Sequence, residues 1–172
     1  MLVLEHTNAG KQLNPATLNA VTGAYQINAS KPIHALLAAP TATPDFLSQL
    51  QALPAIGKIF ISADASFAHP LAETVAPLIQ QVAAKQNYKH IVAAHTAFGK
   101  NIMPRAAGEA DKGYISDIIA VEKEENTYSR PIYAGTIPFF HDPKKEKKKL
   151  LTIFNFFFLV IDLVIQAMPL LK

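Results

Sequence analysis

The run HTAFGKNIMPR, residues 95–105, follows the apolar stretch IVAA and joins a strand-like segment to a helix-like one through Gly99 and Lys100. That order of parts can hold a phosphate, because a helix N-terminus presents unpaired N–H groups and a partial positive charge. A P-loop needs more: G-x-x-x-x-G-K-[ST] brings several backbone donors together and places a hydroxyl on the metal. Here Gly99 has no glycine partner upstream, Asn101 stands at the Ser/Thr position, and the dinucleotide pattern G-x-G-x-x-G is missing. The residues therefore read as a tight strand-to-helix turn, with weak anion attraction as the alternative.

The histidines are His6, His34, His69, His90, His95 and His141. None has a second His two or four residues on, and only His69 has a carboxylate at that spacing, Glu73; a metal-binding strand or helix would present more than one such pair. His6 and His95 fall just beyond strand ends, where open α/β sheets bind ligands. Loop and polar-cap roles are expected for them, with ligand contact as the alternative. Ser116 and Asp117 could pair a nucleophile with a carboxylate, but no G-x-S-x-G elbow surrounds them, and neighbours on a strand point to opposite faces. Asp117 is expected to pair with loop N–H groups, and Glu122 to Glu125 with Lys123 to form a solvated turn. No catalytic, cofactor-binding or metal-ligating residue is assigned.

These residues are carried by an alternation of short apolar runs and longer periodic segments, the pattern of strand-helix units around a parallel sheet. LVLE (2–5), PIHALLAA (32–39), KIFISA (58–63) and HIVAA (90–94) are the first four strands, followed by ISDIIAVE (115–122) and RPIYAG (130–135). Helices are expected from Pro15 with Leu18, Val21, Ala24 and Tyr25 on one face, and from Thr43 with Phe46, Leu47, Leu50 and Leu53 inward. Two more run from Pro70 to Gln86, with Leu71, Val75, Leu78, Ile79 and Val82 buried, and from Lys100 to Glu109. Strands with near-continuous apolar content are covered on both faces. The fold class is a three-layer α/β/α sandwich with a mostly parallel sheet, nucleotide-binding-like and similar to the adenine nucleotide alpha hydrolases.

Composition bounds the chemistry. Of 172 residues half are apolar, enough for one core of ordinary domain size. The formal charge of +3 comes from the block Lys144, Lys145, Lys147, Lys148 and Lys149; the remainder is slightly acidic, so no nucleic-acid footprint is present. The absence of cysteine removes thiol catalysis, thiolate metal sites and disulfides. MLVLEH has the character of a strand, not of a presequence.

After Gly135 the pattern changes to a basic linker, 138–149, and then a hydrophobic tail, 150–172. The tail is expected to form a helix from Leu150 to Ala167. It is about long enough to cross a bilayer, since some 20 apolar residues suffice. Asp162 opposes insertion by about 2.5–3.5 kcal/mol, and a membrane role for residues 150–171 is kept open.

Taken together, LVLEH, LNAVTGA, NYKHIVAAHTAFGKNIMPRAA, ISDIIAV and RPIYAG resemble, in order and spacing, the N-terminal domain of the electron transfer flavoprotein alpha subunit over residues 1–137. The resemblance implies a heterodimer with a beta subunit in the mitochondrial matrix or bacterial cytoplasm. It implies FAD in the intact complex, taking electrons from acyl-CoA dehydrogenases of fatty acid beta-oxidation and others and passing them to a membrane quinone reductase. It also implies that this domain is the scaffold packed on the beta subunit, while a second alpha domain holds the flavin. No residue matches the family's flavin-binding motifs, so no cofactor is expected on this chain alone, and it is read as a truncated electron-carrier subunit, not an enzyme. The runner-up is an AMP- or ATP-binding α/β domain, membrane-anchored through its tail.

Overall fold

The computed structural model describes residues 1–7, 11–53, 55–122, 127–132, 137–141 and 150–154. The chain opens with β1 (Leu2–Leu4) and a two-residue hairpin pair, β2 (His6–Thr7) and β3 (Gln12–Leu13). It continues through α1 (Ala16–Ile27), β4 (Ile33–Ala39), α2 (Pro44–Gln51), β5 (Ile56–Ala63), a 3-10 turn (Ala65–Ala68) and α3 (Ala72–Gln86). Then come β6 (His90–Ala94), α4 (Ala97–Glu109), β7 (Gly113–Ile118), β8 (Ala120–Val121), β9 (Tyr128–Ile132), β10 (Ile137–His141) and β11 (Leu150–Phe154).

The main sheet has six strands in the order β5-β4-β1-β6-β11-β7, and its neighbours all pair in parallel. The first three of its strands step outward from β1 to β4 to β5; the chain then returns past β1 to lay down β6 on the other side. Right-handed crossovers put helices on one face while the chain moves one way and on the opposite face after it reverses. Accordingly Ala20 and Val21 of α1 and Phe46 and Leu50 of α2 build one core with Leu2, Leu4, Leu37 and Val92. Val75 and Ile79 of α3 and Ile102, Met103 and Ala106 of α4 build the other with Val3, Leu36 and Ile91. Each fully buried Leu, Ile or Phe in these layers contributes about 1.5–3 kcal/mol through removal of apolar area from water. The parallel α/β/α sandwich expected from the strand-helix alternation is thus present.

Several local expectations are corrected. In α1 the buried stripe is Thr17, Ala20 and Val21 with Gly23, whereas Leu18 is 50% and Tyr25 42% exposed. Both stripes have helical spacing, and the one bearing the smaller side chains lets the helix axis approach the sheet. Leu71 precedes α3 as its N-cap residue and is 56% exposed instead of buried. Helix α4 begins at Ala97, three residues before Lys100, so Gly99 and Lys100 lie in its first turn. The segment 115–122 is divided: β7 belongs to the main sheet, while β8 joins β9 and β10 in a separate antiparallel sheet.

The largest correction concerns the tail. Leu150–Phe154, expected to start a hydrophobic helix, is a strand inserted between β6 and β7, with Leu151 opposite Ile91 on one side and Tyr114 on the other. A strand held on both edges by parallel neighbours cannot be the first turn of a helix, and its apolar run suits a sheet covered on both faces. The remainder of the expected helix, 155–167, lies outside the described residues, as does the Lys block. Among the described residues no helix is long and apolar enough to cross a membrane.

Candidate functional site

Because β1 and β6 are adjacent and the chain leaves them in opposite lateral directions, the carboxyl ends of these two strands form the topological switch point, the usual ligand crevice of open α/β sheets. Glu5 and His6 follow β1, and His95 and Thr96 follow β6. The two histidines predicted to lie past strand ends are therefore at this end of the sheet.

Thr96 is the N-cap of α4. Its Oγ1 accepts a hydrogen bond from the Gly99 N–H at 3.3 Å and donates its proton to Glu5 Oε2 at 2.6 Å. Sequence reasoning passed over both Thr96 and Glu5; a Thr three residues before a helical Gly is a cap signal that could have located the first. The bond places a carboxylate of the chain itself at the positive end of α4, where such a charge is stabilising. Gly99 serves packing: a Cβ on it would stand 2.1 Å from the Ala94 carbonyl oxygen. The glycine lets the first turn of α4 lie against the end of β6.

His95 has a side chain only 9% exposed, and its Nε2 lies 3.7 Å from Asp117 Oδ1. Burial pushes the imidazole below the usual histidine range; Asp117 opposes the shift, while Lys100 and Arg130 add to it. The ring is consequently neutral near pH 7. Its Nδ1 is buried without a hydrogen bond, as is Nε of Arg130 on β9. Asp117 has a φ of 58°, in the left-handed region. Pairing with β11 moves from Thr152–Ile115 to Phe154–Ile118, two residues against three, so Asp117 sits in an irregularity of β7. A bulge re-aims a side chain that strict alternation would send elsewhere. It is why Asp117 reaches His95, and it replaces the expected pairing with loop N–H groups. It also puts Ile115 and Ile118, three residues apart, into one core.

His6 is packed beneath the same end of the sheet. Burial lowers its pKa, opposed by the Phe67 carbonyl, Glu5 and the Ala38 carbonyl, and neither ring nitrogen closes a hydrogen bond of good geometry. His34 belongs to the opposite end of the sheet. Its Nδ1 and the Tyr88 hydroxyl share a hydrogen bond of 2.5 Å, and its ring stands edge-on to Phe60 and Tyr88. Lys58 lies over Phe60 at 4.6 Å from the ring centroid. The main-chain carbonyl of His90 accepts from the Met1 amine at 2.7 Å. His69 is exposed. Among the described residues no group of His, Asp and Glu could hold a metal ion.

A groove of about 350 Å³ lies away from the switch point, at the outer strand β5, lined by Leu47, Gln51, Ile56, Ile59 and Ile61 among others. Its wall mixes these aliphatic side chains with Lys58 and the Gln51 amide.

These features define a nucleotide-binding-like α/β domain in which Glu5 and Thr96, and His95 and Asp117, contact one another at the switch point. A family model described as "Electron transfer flavoprotein domain" matches residues 1–138, and the chain belongs to that family. It is similar to a "probable electron transfer flavoprotein subunit alpha, mitochondrial" of Cryptococcus neoformans var. neoformans, 38% identical over 155 residues, which is 89% of this chain and 44% of the relative. The "electron transfer flavoprotein subunit alpha" of Pseudomonas aeruginosa is 37% identical over 137 residues, covering 78% of this chain and 41% of that protein. The mitochondrial alpha subunit of rice, Oryza sativa subsp. indica, is 40% identical over 82 residues, 48% of this chain. The chain thus spans less than half the length of these relatives. A match over 89% of 172 residues has to extend into the region of β11, so the likeness continues past Gly135.

Proposed function

We propose that this chain is the scaffold portion of an electron transfer flavoprotein alpha subunit, which packs against a beta subunit and carries no flavin by itself. The carrying observation is the alignment of a whole parallel α/β domain with alpha subunits more than twice its length, combined with a switch point filled by Glu5, Thr96, His95 and Asp117. In the intact complex the family role is electron transfer through FAD, from acyl-CoA and other dehydrogenases toward a membrane quinone reductase. The names of the fungal and rice relatives support a mitochondrial setting.

The residues of this domain do not fit FAD. The flavin needs a pocket around the isoalloxazine and groups that tune its ring nitrogens, and donors for its pyrophosphate, commonly at a helix N-terminus. Here the α4 N-terminus already faces the Glu5 carboxylate, and the β5 groove has neither an aromatic wall nor a helix N-terminus in its lining. No electron-transfer step is therefore assigned to residues of this chain.

The test is to express the chain with and without a beta subunit and record co-purification and the visible spectrum. Co-purification with no flavin band near ~450 nm in the chain alone is the expected result. A stoichiometric flavin band in the isolated chain overturns it. The runner-up, a nucleotide-binding domain, is separated by calorimetric titration with AMP and ATP, which is flat for a scaffold.

A further inference from the structure

The N-terminus of α4 combines a 13-residue helix, the capping hydroxyl of Thr96, and two cationic side chains, Lys100 and Arg130, that act on His95. His95 is nine-tenths buried with an unpaired Nδ1, and Arg130 has a buried, unpaired Nε. His95 Nδ1 and Arg130 Nε are thus buried polar nitrogens that no neighbour uses. Facing them are two carboxylates of the chain: Asp117 at 3.7 Å from His95 and Glu5 at 2.6 Å from Thr96. The Thr96 hydroxyl has one proton, and Glu5 takes it; its lone pair is given to Gly99 N–H. The capping hydroxyl is thereby engaged on both sides, and the Glu5 carboxylate stands at the end of the helix.

We propose that the Glu5 carboxylate is a built-in occupant of the anion position at the N-terminus of α4, closing the switch-point crevice to phosphate-bearing ligands. The carboxylate supplies what a bound phosphate would supply, namely an acceptor for the capping hydroxyl and a negative charge at the positive end of the helix dipole. It arrives from β1, whose parallel pairing with β6 brings Glu5 and Thr96 together across 91 residues of sequence. Without Glu5 the same donors face only Asp117, and the balance at the helix end becomes positive. The proposal goes beyond the scaffold reading by naming the residue that keeps a nucleotide-binding-like fold shut.

Inorganic phosphate is the probe, read as thermal unfolding of the full chain against chloride of matched ionic strength. Glu5→Ala should melt below the wild type in chloride and recover by about 3–5 °C, saturably, as phosphate occupies the vacated position. The wild-type chain should show no saturable shift. Glu5→Gln, which keeps the shape and hydrogen-bonding capacity but not the charge, provides a folded variant should the alanine variant fail to fold in either buffer; a phosphate response in Glu5→Gln and none in wild type supports the proposal. Equal responses in wild type and variants, or no response in any variant, overturn it. AMP and ATP titrated into the wild type separate this from the scaffold reading: binding there removes both, whereas a flat wild type with unresponsive variants removes only the role of Glu5.

Discussion

Replacing Gly99 by alanine isolates the contact that seats α4 on the sheet. A Cβ at this position would lie 2.1 Å from the Ala94 oxygen and 3.2 Å from its carbonyl carbon. Ordinary contact begins at 3.4 Å, well over 1 Å farther out, and the obstacle is main chain, not the end of a flexible side chain. Ala94 cannot retreat freely: it pairs with Phe154 of β11, and its oxygen accepts the Thr96 N–H at 2.9 Å. Forcing extra volume into such a site costs about 3 kcal/mol, near the upper end for overpacking, while Gly to Ala in a helix returns about 1 kcal/mol. The net loss should be about 2 kcal/mol, or roughly 4–8 °C in Tm for a chain of this size. Urea unfolding followed by circular dichroism measures it. Gly108 is the control, since it is exposed in the same helix and a Cβ there meets nothing within 4 Å; Gly108→Ala should gain about 0.5–1 kcal/mol. If Gly99→Ala is as stable as Gly108→Ala, the close-approach argument is wrong.

Phe46, fully buried in the α1–α2 core, should cost about 3–5 kcal/mol as Phe46→Ala in the same urea assay; a loss under 1 kcal/mol would mean the core does not close around it. Thr96→Val keeps the shape but removes both the cap and the Glu5 bond, with an expected loss of about 1–2 kcal/mol. Stability should fall as pH drops from about 8 to 5. Burial lowers the folded pKa of His6, His34 and His95 below the ordinary 6.5, and it pushes the Met1 amine to about 5. In that window the unfolded chain binds more protons, so acid favours unfolding. The slope should flatten in His95→Gln and His34→Gln, and thermal melts showing stability rising toward pH 5 would refute the assignment.

The strand-helix alternation was legible because a strand buried on both faces must be apolar throughout, and a helix covering it must be apolar at every third or fourth position. Those are local demands, and β1, β4, β6 and the four helices answer to them, while the outer strand β5 has no buried residue. Which stripe of α1 turns inward was not legible, since Leu18 and Tyr25 compete with Ala20 and Val21 on spacing alone, and closeness of packing decided. The tail shows the same limit. LLTIF is as apolar as a helix segment should be, and only the open slot between β6 and β7 makes it a strand. Glu5 and Thr96 are 91 residues apart, and His95 meets Asp117 through a left-handed residue in a bulged strand. The sequence by itself determined the layers and, through its lack of cysteine, ruled out thiol and thiolate chemistry. The tertiary structure decided which side chains fill the switch point, because register and bulges depend on pairings between strands that no local pattern encodes.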